Sequence, residues 1–284
     1  MTIAITGASG QLGRLVVESL LDRGVTPSDI VAVVRTPAKI DDLAARGVVV
    51  RTANYDDWAA LAEAFAGVDR VLLVSGSELG KRVEQHGNVI AAAKDAGVEL
   101  IAYTSAPYAT TSPLALAAEH KATEELLAAS GLPVTLLRNG WYWENYTNDL
   151  AGTVERGVLL GSAQDGKLAG AARRDYADAA AAVLTTDGHE GKVYELGGDQ
   201  RLTYAELAEQ LSAVAGKAVE YRDLPQEAYA KVLQDAGLPA DYAAILADSD
   251  AGIAKGALDI TSGDLQRLIG HPSTPVADVF SAAL

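Results

Sequence analysis

The chain has 284 residues, 49% of them hydrophobic and 21% charged, which is long and apolar enough to bury a sizeable core and unlike a disordered chain. A formal net charge of −15 predicts repulsion from DNA, RNA and anionic membrane surfaces, so neither nucleic acid nor membrane is an expected partner. No apolar run approaches the ~18 residues of a membrane span, and the absence of cysteine excludes disulfides, thiolate metal sites and cysteine nucleophiles.

Met1-Thr2-Ile3-Ala4-Ile5-Thr6 runs straight into a glycine turn with no basic or long apolar segment, so no secretory signal is read and a cytoplasmic location is expected. Short β-branched runs predict strands over 3–6, 30–34, 48–51, 70–74, 100–104 and 134–137. Helical spacing of apolar residues predicts helices over 11–23, 38–46, 58–66, 81–96 and 116–130 between them. The strand runs are apolar on both faces, as in buried parallel sheets. Alternation of this kind predicts an α/β, doubly wound parallel sheet of Rossmann type with right-handed crossovers. After about residue 139 the pattern loosens. A late strand over 192–196 is expected to return to the sheet edge, 177–184 reads as a tightly packed alanine-rich helix, and 144–157 and 203–255 read as mostly helical. The expected organisation is one domain over 1–284: a core of about 1–140 plus 190–197, and a smaller lobe from about 144–170 and 200–284.

The turn Gly7-Ala8-Ser9-Gly10-Gln11-Leu12-Gly13 joins the first strand to the first helix. A pyrophosphate needs close backbone approach and free N–H groups, which glycines at a helix N-terminus supply, so this turn predicts dinucleotide binding. NAD-specific folds place an acid at the end of the second strand. Here that place holds Val34-Arg35-Thr36-Pro37, and the Arg35 fork suits a 2′-phosphate, with Arg14 and Lys39 adding positive charge. The competing reading of Arg35 is a solvated loop cation. NADPH (or NADP⁺) is therefore the expected cofactor. Ser75, Gly76 and Ser77, after the fourth strand, are small enough to let the cofactor pass; Ser75 as a helix cap is the alternative.

Asn139-Gly140-Trp141-Tyr142-Trp143 follows the sixth strand. Trp141, Tyr142 and Trp143 are candidates to sandwich a flat substrate, and Asn139 to hydrogen-bond the cofactor or substrate; the alternative is that Trp141 and Trp143 plug a core. Tyr103 and His120 are candidate proton carriers, or buried structural groups. The four histidines lack metal-ligand spacing, no Gly-x-Ser-x-Gly elbow occurs, and Asp248-Ser249-Asp250 lacks the spacing of a calcium loop, so no metal is expected.

The opening Ile-Thr-Gly-Ala-Ser-Gly-Gln-Leu-Gly, Val-Arg-Thr-Pro-Ala-Lys at 34–39 and Leu-Leu-Arg-Asn-Gly-Trp-Tyr-Trp-Glu-Asn-Tyr at 136–146 resemble the NmrA-like atypical short-chain dehydrogenases/reductases. Tyr103-Thr104-Ser105, Gly191–Leu196, Ala247–Asp250 and Ile269-Gly270-His271-Pro272 extend the resemblance to the family's bacterial NADPH-dependent quinone oxidoreductases of type 2. The resemblance implies bound NADPH, a small-molecule quinone as substrate in a pocket between core and lobe, and admits a homodimer. It implies cofactor contacts from 7–13, Arg35, Ser75, Gly76, Ser77, and the loop Asn139, Gly140, Trp141, Tyr142, Trp143 and Glu144, with Arg173 as a further contact. The catalytic Tyr-x-x-x-Lys pair of carbonyl-reducing relatives is replaced by His120-Lys121-Ala122-Thr123-Glu124. That loss disfavours alcohol dehydrogenation and leaves direct two-electron reduction of a quinone to a quinol, in which alignment is the protein's main task. An NADP(H)-binding redox sensor, or a reductase of azo or triarylmethane dyes, are the alternatives.

Overall fold

The computed structural model describes residues 1–284, and they divide into two compact units. The first comprises 1–106, 119–139 and 173–194. The second comprises 107–118, 140–172 and 195–284.

The chain runs β1 (Ile3–Thr6), α1 (Gln11–Asp22), β2 (Ile30–Val34), α2 (Asp41–Ala45), β3 (Val49–Thr52), α3 (Trp58–Ala64), β4 (Arg70–Leu73), α4 (Arg82–Asp95), β5 (Leu100–Ser105), α5 (Ala117–Ser130) and β6 (Val134–Asn139). It continues α6 (Leu150–Arg156), β7 (Val158–Gly161), α7 (Arg173–Thr185), β8 (Val193–Leu196), α8 (Tyr204–Ala215), β9 (Glu220–Asp223), α9 (Gln226–Asp235), α10 (Ala240–Ile253), α11 (Asp264–Ile269) and α12 (Val276–Ala283).

One seven-stranded sheet has the order β3-β2-β1-β4-β5-β6-β8. Its pairings from β3 through to β6 are all parallel. Along β8 the bonds Gly191 N to Val134 O, Leu136 N to Lys192 O and Gly140 N to Leu196 O climb both strands together, as parallel pairing requires. The late strand thus takes the expected edge. Strand order reverses between β1 and β4, the switch point outside which doubly wound sheets bind ligands. Every residue of β1, β2, β4 and β5 is buried, which explains the unbroken apolar runs. One face of the sheet packs Leu61, Phe65, Val89, Ile90 and Leu127 against Val33, Val71, Ile101 and Tyr103. The alanine-rich helix is α7, and it packs against α1 because Ala177 and Ala179–Ala182 let the backbones approach. Arg174 pairs with Asp22 at 2.6 Å and with Asp178 at 3.0 Å along that seam.

The second unit gathers Trp143, Tyr204, Leu211, Ile253, Val276 and Phe280 into its own core. It also holds a two-stranded parallel ribbon, β7 with β9, in the register Val158 to Glu220 through Gly161 to Asp223. The helical reading of 203–255 missed β9, and no strand was expected at β7. The four residues of β9, Glu-Tyr-Arg-Asp, are mostly exposed and carry no apolar alternation, so only their partner makes them a strand. In this division 107–118 falls with the second unit and 173–194 with the first. The helix expected over 38–46 is a 3-10 turn, Pro37–Ile40, followed by the short α2, and 144–157 is likewise a 3-10 turn, Trp143–Asp149, followed by α6. No helix is long and apolar enough to cross a membrane.

Candidate functional site

In the first unit the site is built at the carboxyl ends of β1, β2 and β4. The turn after β1 bends through Gly7 at φ +59°, a left-handed conformation natural to glycine. The Gly10 N–H then donates to Gly7 O at 2.8 Å, and α1 starts at Gln11. A Cβ on Gly13 would stand 2.4 Å from Gly7 O, so α1 reaches this close to the turn only with glycine there. No side chain caps α1, and its first turn carries no acid. The first-turn amides of a helix lie outside its internal ladder, so this end is shaped and polarised for an anion. The cradle fits a dinucleotide pyrophosphate.

Arg35 follows β2, exposed, with Nη1 3.3 Å from Glu78 Oε1. Lys81 reaches the other Glu78 oxygen at 3.8 Å, so one carboxylate gathers two cations. Arg14 does not act as a free supplementary cation. Its guanidinium forks onto Asp42, with a further bond to Glu18 at 3.1 Å. The bond from Arg14 is the main reason the Asp42 carboxyl lies below its ordinary range. Arg173 is the first residue of α7.

The loop after β4 is held more tightly than its sequence suggests. The Ser75 N–H donates to Thr104 Oγ1 at 2.8 Å, and the Gly76 N–H donates to His86 Nε2 at 2.9 Å. Arg82 Nε donates to Gly76 O at 2.9 Å. Because Nε2 accepts, neutral His86 must carry its proton on Nδ1, 3.0 Å from Thr123 Oγ1. Burial, with Arg82 nearby, keeps His86 neutral by lowering its pKa to about 3. The amides of Ser75 and Gly76 are therefore already engaged, and Ser75 caps no helix, since α4 begins at Arg82. Tyr55, after β3, places its hydroxyl 2.5 Å from Thr6 Oγ1 and 2.8 Å from Val74 O, bracing the ends of β1 and β4. Tyr55, His86, Arg82 and Thr104 were not anticipated. Tyr55 and Thr104 lie at carboxyl ends of parallel strands, and that position was the available signal.

Tyr103 and His120 lie together in the interior, as the structural alternative has it. Tyr103 is fully buried, and its hydroxyl lies 2.7 Å from His120 Nδ1. Burial raises the Tyr103 pKa and lowers that of His120 to about 3, so both stay neutral in the interior. Glu124, at the position of the missing lysine, is buried and accepts from Arg138 Nε at 2.9 Å, Arg138 Nη2 at 2.6 Å and Ser105 Oγ at 2.6 Å. That segment is framework. Asn139 ends β6 and is buried.

In the second unit the aromatic segment splits. Trp143 is fully buried in the core, where a Cβ on Gly170 would come within 2.6 Å of its ring. Its indole fills this core, as the alternative reading of Trp143 has it. Trp141 and Tyr142 are only partly buried. Backbone bonds from Ala171 N to Trp141 O and from Trp143 N to Ala171 O, both 3.0 Å, pin the segment. Glu144 opens the 3-10 turn behind it.

Residues 1–255 match the NmrA-like family model. Quinone oxidoreductase 2 of Escherichia coli (strain K12) is 54% identical over 98% of this chain and 97% of its own. The crystal structure of the NADPH-dependent quinone oxidoreductase from Escherichia coli complexed with NADPH superimposes with a TM-score of 0.96 over 99% of both chains, at 54% identity. The triphenylmethane reductase of Citrobacter sp. complexed with NADP(H) gives a TM-score of 0.95 at 41% identity, covering 100% of each chain. The chain is a member of the NmrA-like family.

Proposed function

We propose that the protein is an NADPH-dependent quinone oxidoreductase that reduces a quinone to a quinol by two electrons. The likeness to the Escherichia coli enzyme along nearly the whole chain carries this reading. The site supports it from three directions. The turn over 7–13 would hold the pyrophosphate, and Arg35 would exchange Glu78 for the 2′-phosphate. Ser75, Gly76 and Ser77 would flank the cofactor's path, with Asn139, Gly140, Tyr142 and Glu144 as further contacts. Trp141 and Tyr142 would offer the flat acceptor an aromatic face.

When bound, the cofactor supplies a hydride from nicotinamide C4. The net change is NADPH plus quinone plus one proton to NADP⁺ plus quinol. With Tyr103, His120 and Glu124 engaged inside the framework, that proton comes from solvent. The chain's work is to align donor and acceptor and to keep the acceptor flat against its aromatic face. An acceptor that gains aromaticity on reduction does not need the missing Tyr-x-x-x-Lys acid.

Purified protein with NADPH and a simple benzoquinone should consume NADPH, followed by loss of nicotinamide absorbance. Tight NADP⁺ binding without turnover would overturn the enzyme reading in favour of a sensor. The 41% identity to a triphenylmethane reductase favours a second reading, reduction of cationic dyes; a kcat/KM higher for malachite green than for benzoquinone would support it.

A further inference from the structure

Arg35 follows β2, and Glu78 lies in the loop that follows β4; these two strands flank β1 in the sheet. The bond between them ties together the loops on either side of β1. It is a loose tie. Arg35 offers one nitrogen, Nη1, to Glu78 Oε1 at 3.3 Å, and Lys81 Nζ stands 3.8 Å from Oε2. Both exceed the roughly 2.7–2.9 Å of a close charge-assisted bond. The side chains of Arg35, Glu78 and Lys81 are 70%, 42% and 61% exposed, so water and salt weaken both contacts.

The loop over 75–81 does not depend on the Glu78 side chain for its place. Thr104 and His86 hold the Ser75 and Gly76 amides, and Arg82 Nε holds the Gly76 carbonyl. Farther along, the Gly80 N–H donates to Glu119 Oε1 at 3.0 Å, and Arg82 Nη1 donates to Glu119 Oε2 at 2.7 Å. Arg82 and His86 are buried, so these anchors persist whatever Glu78 does. The Glu78 carboxylate is left with an electrostatic effect: it draws two cations from separate loop positions to one point.

We propose that Glu78 is an internal stand-in for the cofactor's 2′-phosphate: its carboxylate keeps Arg35 and Lys81 gathered at one seat and is displaced when the phosphate enters. This rests on the role proposed above for Arg35. A phosphate monoester carries about −1.5 to −2 charges at pH 7 and three acceptor oxygens, against one charge and two oxygens on a carboxylate, so it takes both cations from Glu78. NADH brings only a 2′-hydroxyl, which has no charge with which to displace an anion from Arg35, and in its complex Glu78 stays in place. Lys81 thus becomes a second reader of the phosphate, and Glu78 a brake on NADP(H) affinity alone. Once displaced, Glu78 remains on its anchored loop, and its like charge near the bound phosphate favours release of NADP⁺.

Isothermal titration of NADP⁺ and NAD⁺ into wild type, Glu78→Gln, Lys81→Met and Arg35→Ala tests this without turnover. Glu78→Gln should bind NADP⁺ about three- to tenfold more tightly, since an exposed ion pair no longer has to be broken and a like charge is gone, with NAD⁺ affinity unchanged. Lys81→Met should weaken NADP⁺ about threefold and leave NAD⁺ alone. Without Glu78 the two cations meet the phosphate with no anion between them. The NADP⁺ affinity of Glu78→Gln should therefore fall more steeply than that of wild type as salt rises from about 50 to 500 mM, a response that a merely structural role would not produce. If Glu78→Gln binds NADP⁺ no better than wild type while Arg35→Ala still loses NADP⁺ selectively, the stand-in is overturned and the reading of Arg35 survives. Tighter binding of both cofactors by Glu78→Gln would overturn it as well, because the relief would owe nothing to the phosphate. Equal losses of NADP⁺ and NAD⁺ in Arg35→Ala would sink the reading of Arg35, and the stand-in with it.

Discussion

At the scale of single residues, Arg35 is the cation proposed to read the 2′-phosphate. The chain carries a net charge of −15, and the nearest candidate, Arg14, is spent on Asp42 and Glu18. Arg35 has only an exposed Glu78 to leave, and exposed ion pairs contribute about 1 kcal/mol or less. Arg35→Ala should therefore weaken NADPH about 10- to 100-fold and leave NADH nearly untouched, as measured by paired titrations with the two cofactors. Equal losses would show that Arg35 does not read the 2′-phosphate. Gly13 is a steric counterpart. Gly13→Ala puts a methyl 2.4 Å from Gly7 O, against backbone that has no rotamer to yield. It should cost about 1–3 kcal/mol of stability and abolish the rise in melting temperature on adding NADPH.

At the scale of elements, the segment that replaces the usual catalytic pair has become a clamp. Glu124 of α5 joins Ser105 at the end of β5 to Arg138 in β6. The guanidinium and the carboxylate are both nearly inaccessible, so removing one leaves the other buried without its charge partner. Arg138→Met should destabilise the protein by about 3–5 kcal/mol in urea unfolding, whereas Arg138→Met combined with Glu124→Leu should recover most of that loss. A single variant as stable as wild type would remove the clamp from the account. The β7–β9 ribbon belongs to this scale as well. It pairs residues 62 positions apart (158 with 220), and the polar β9 has no local reason to be extended.

At the scale of the whole molecule, buried titratable groups set the response to acid. His86 and His120 have native pKa values near 3 against 6.5 for an unconstrained histidine. Below pH 6.5 the unfolded chain takes up two protons that the native protein refuses. Their contribution is thus complete above about pH 6.5 and falls by about 1.4 kcal/mol per unit for each histidine as pH drops. Asp250 acts in the opposite sense. Its native value of about 6 exceeds the ordinary 3.8, so between those values the native state holds a proton that the unfolded chain has released. That offsets roughly one histidine. Urea unfolding at pH 7, 6 and 5 should show stability falling with acid, and more steeply in Asp250→Asn. A parallel fall in the variant would contradict the offset.

What the sequence determined by itself was everything governed by local spacing. Buried β-branched runs, amphipathic helices and the Gly7-x-x-Gly10-x-x-Gly13 turn were legible because parallel strands, helices and a phosphate cradle each impose a short, fixed pattern on consecutive residues. Arg35 was singled out by the same kind of spacing, its distance from that turn, and its proposed contact with the 2′-phosphate awaits the titration above. What only the tertiary structure decided was burial and pairing between distant residues. Nothing adjacent in the chain marks Tyr103 as the partner of His120, Trp143 as core while Trp141 stays partly exposed, Arg14 as neutralised by Asp42, or Asp250 as the acceptor of the Tyr204 hydroxyl. Whether a polar or aromatic side chain is framework or site depends on which groups surround it once water is gone, and those groups come from elements that the chain brings together only on folding.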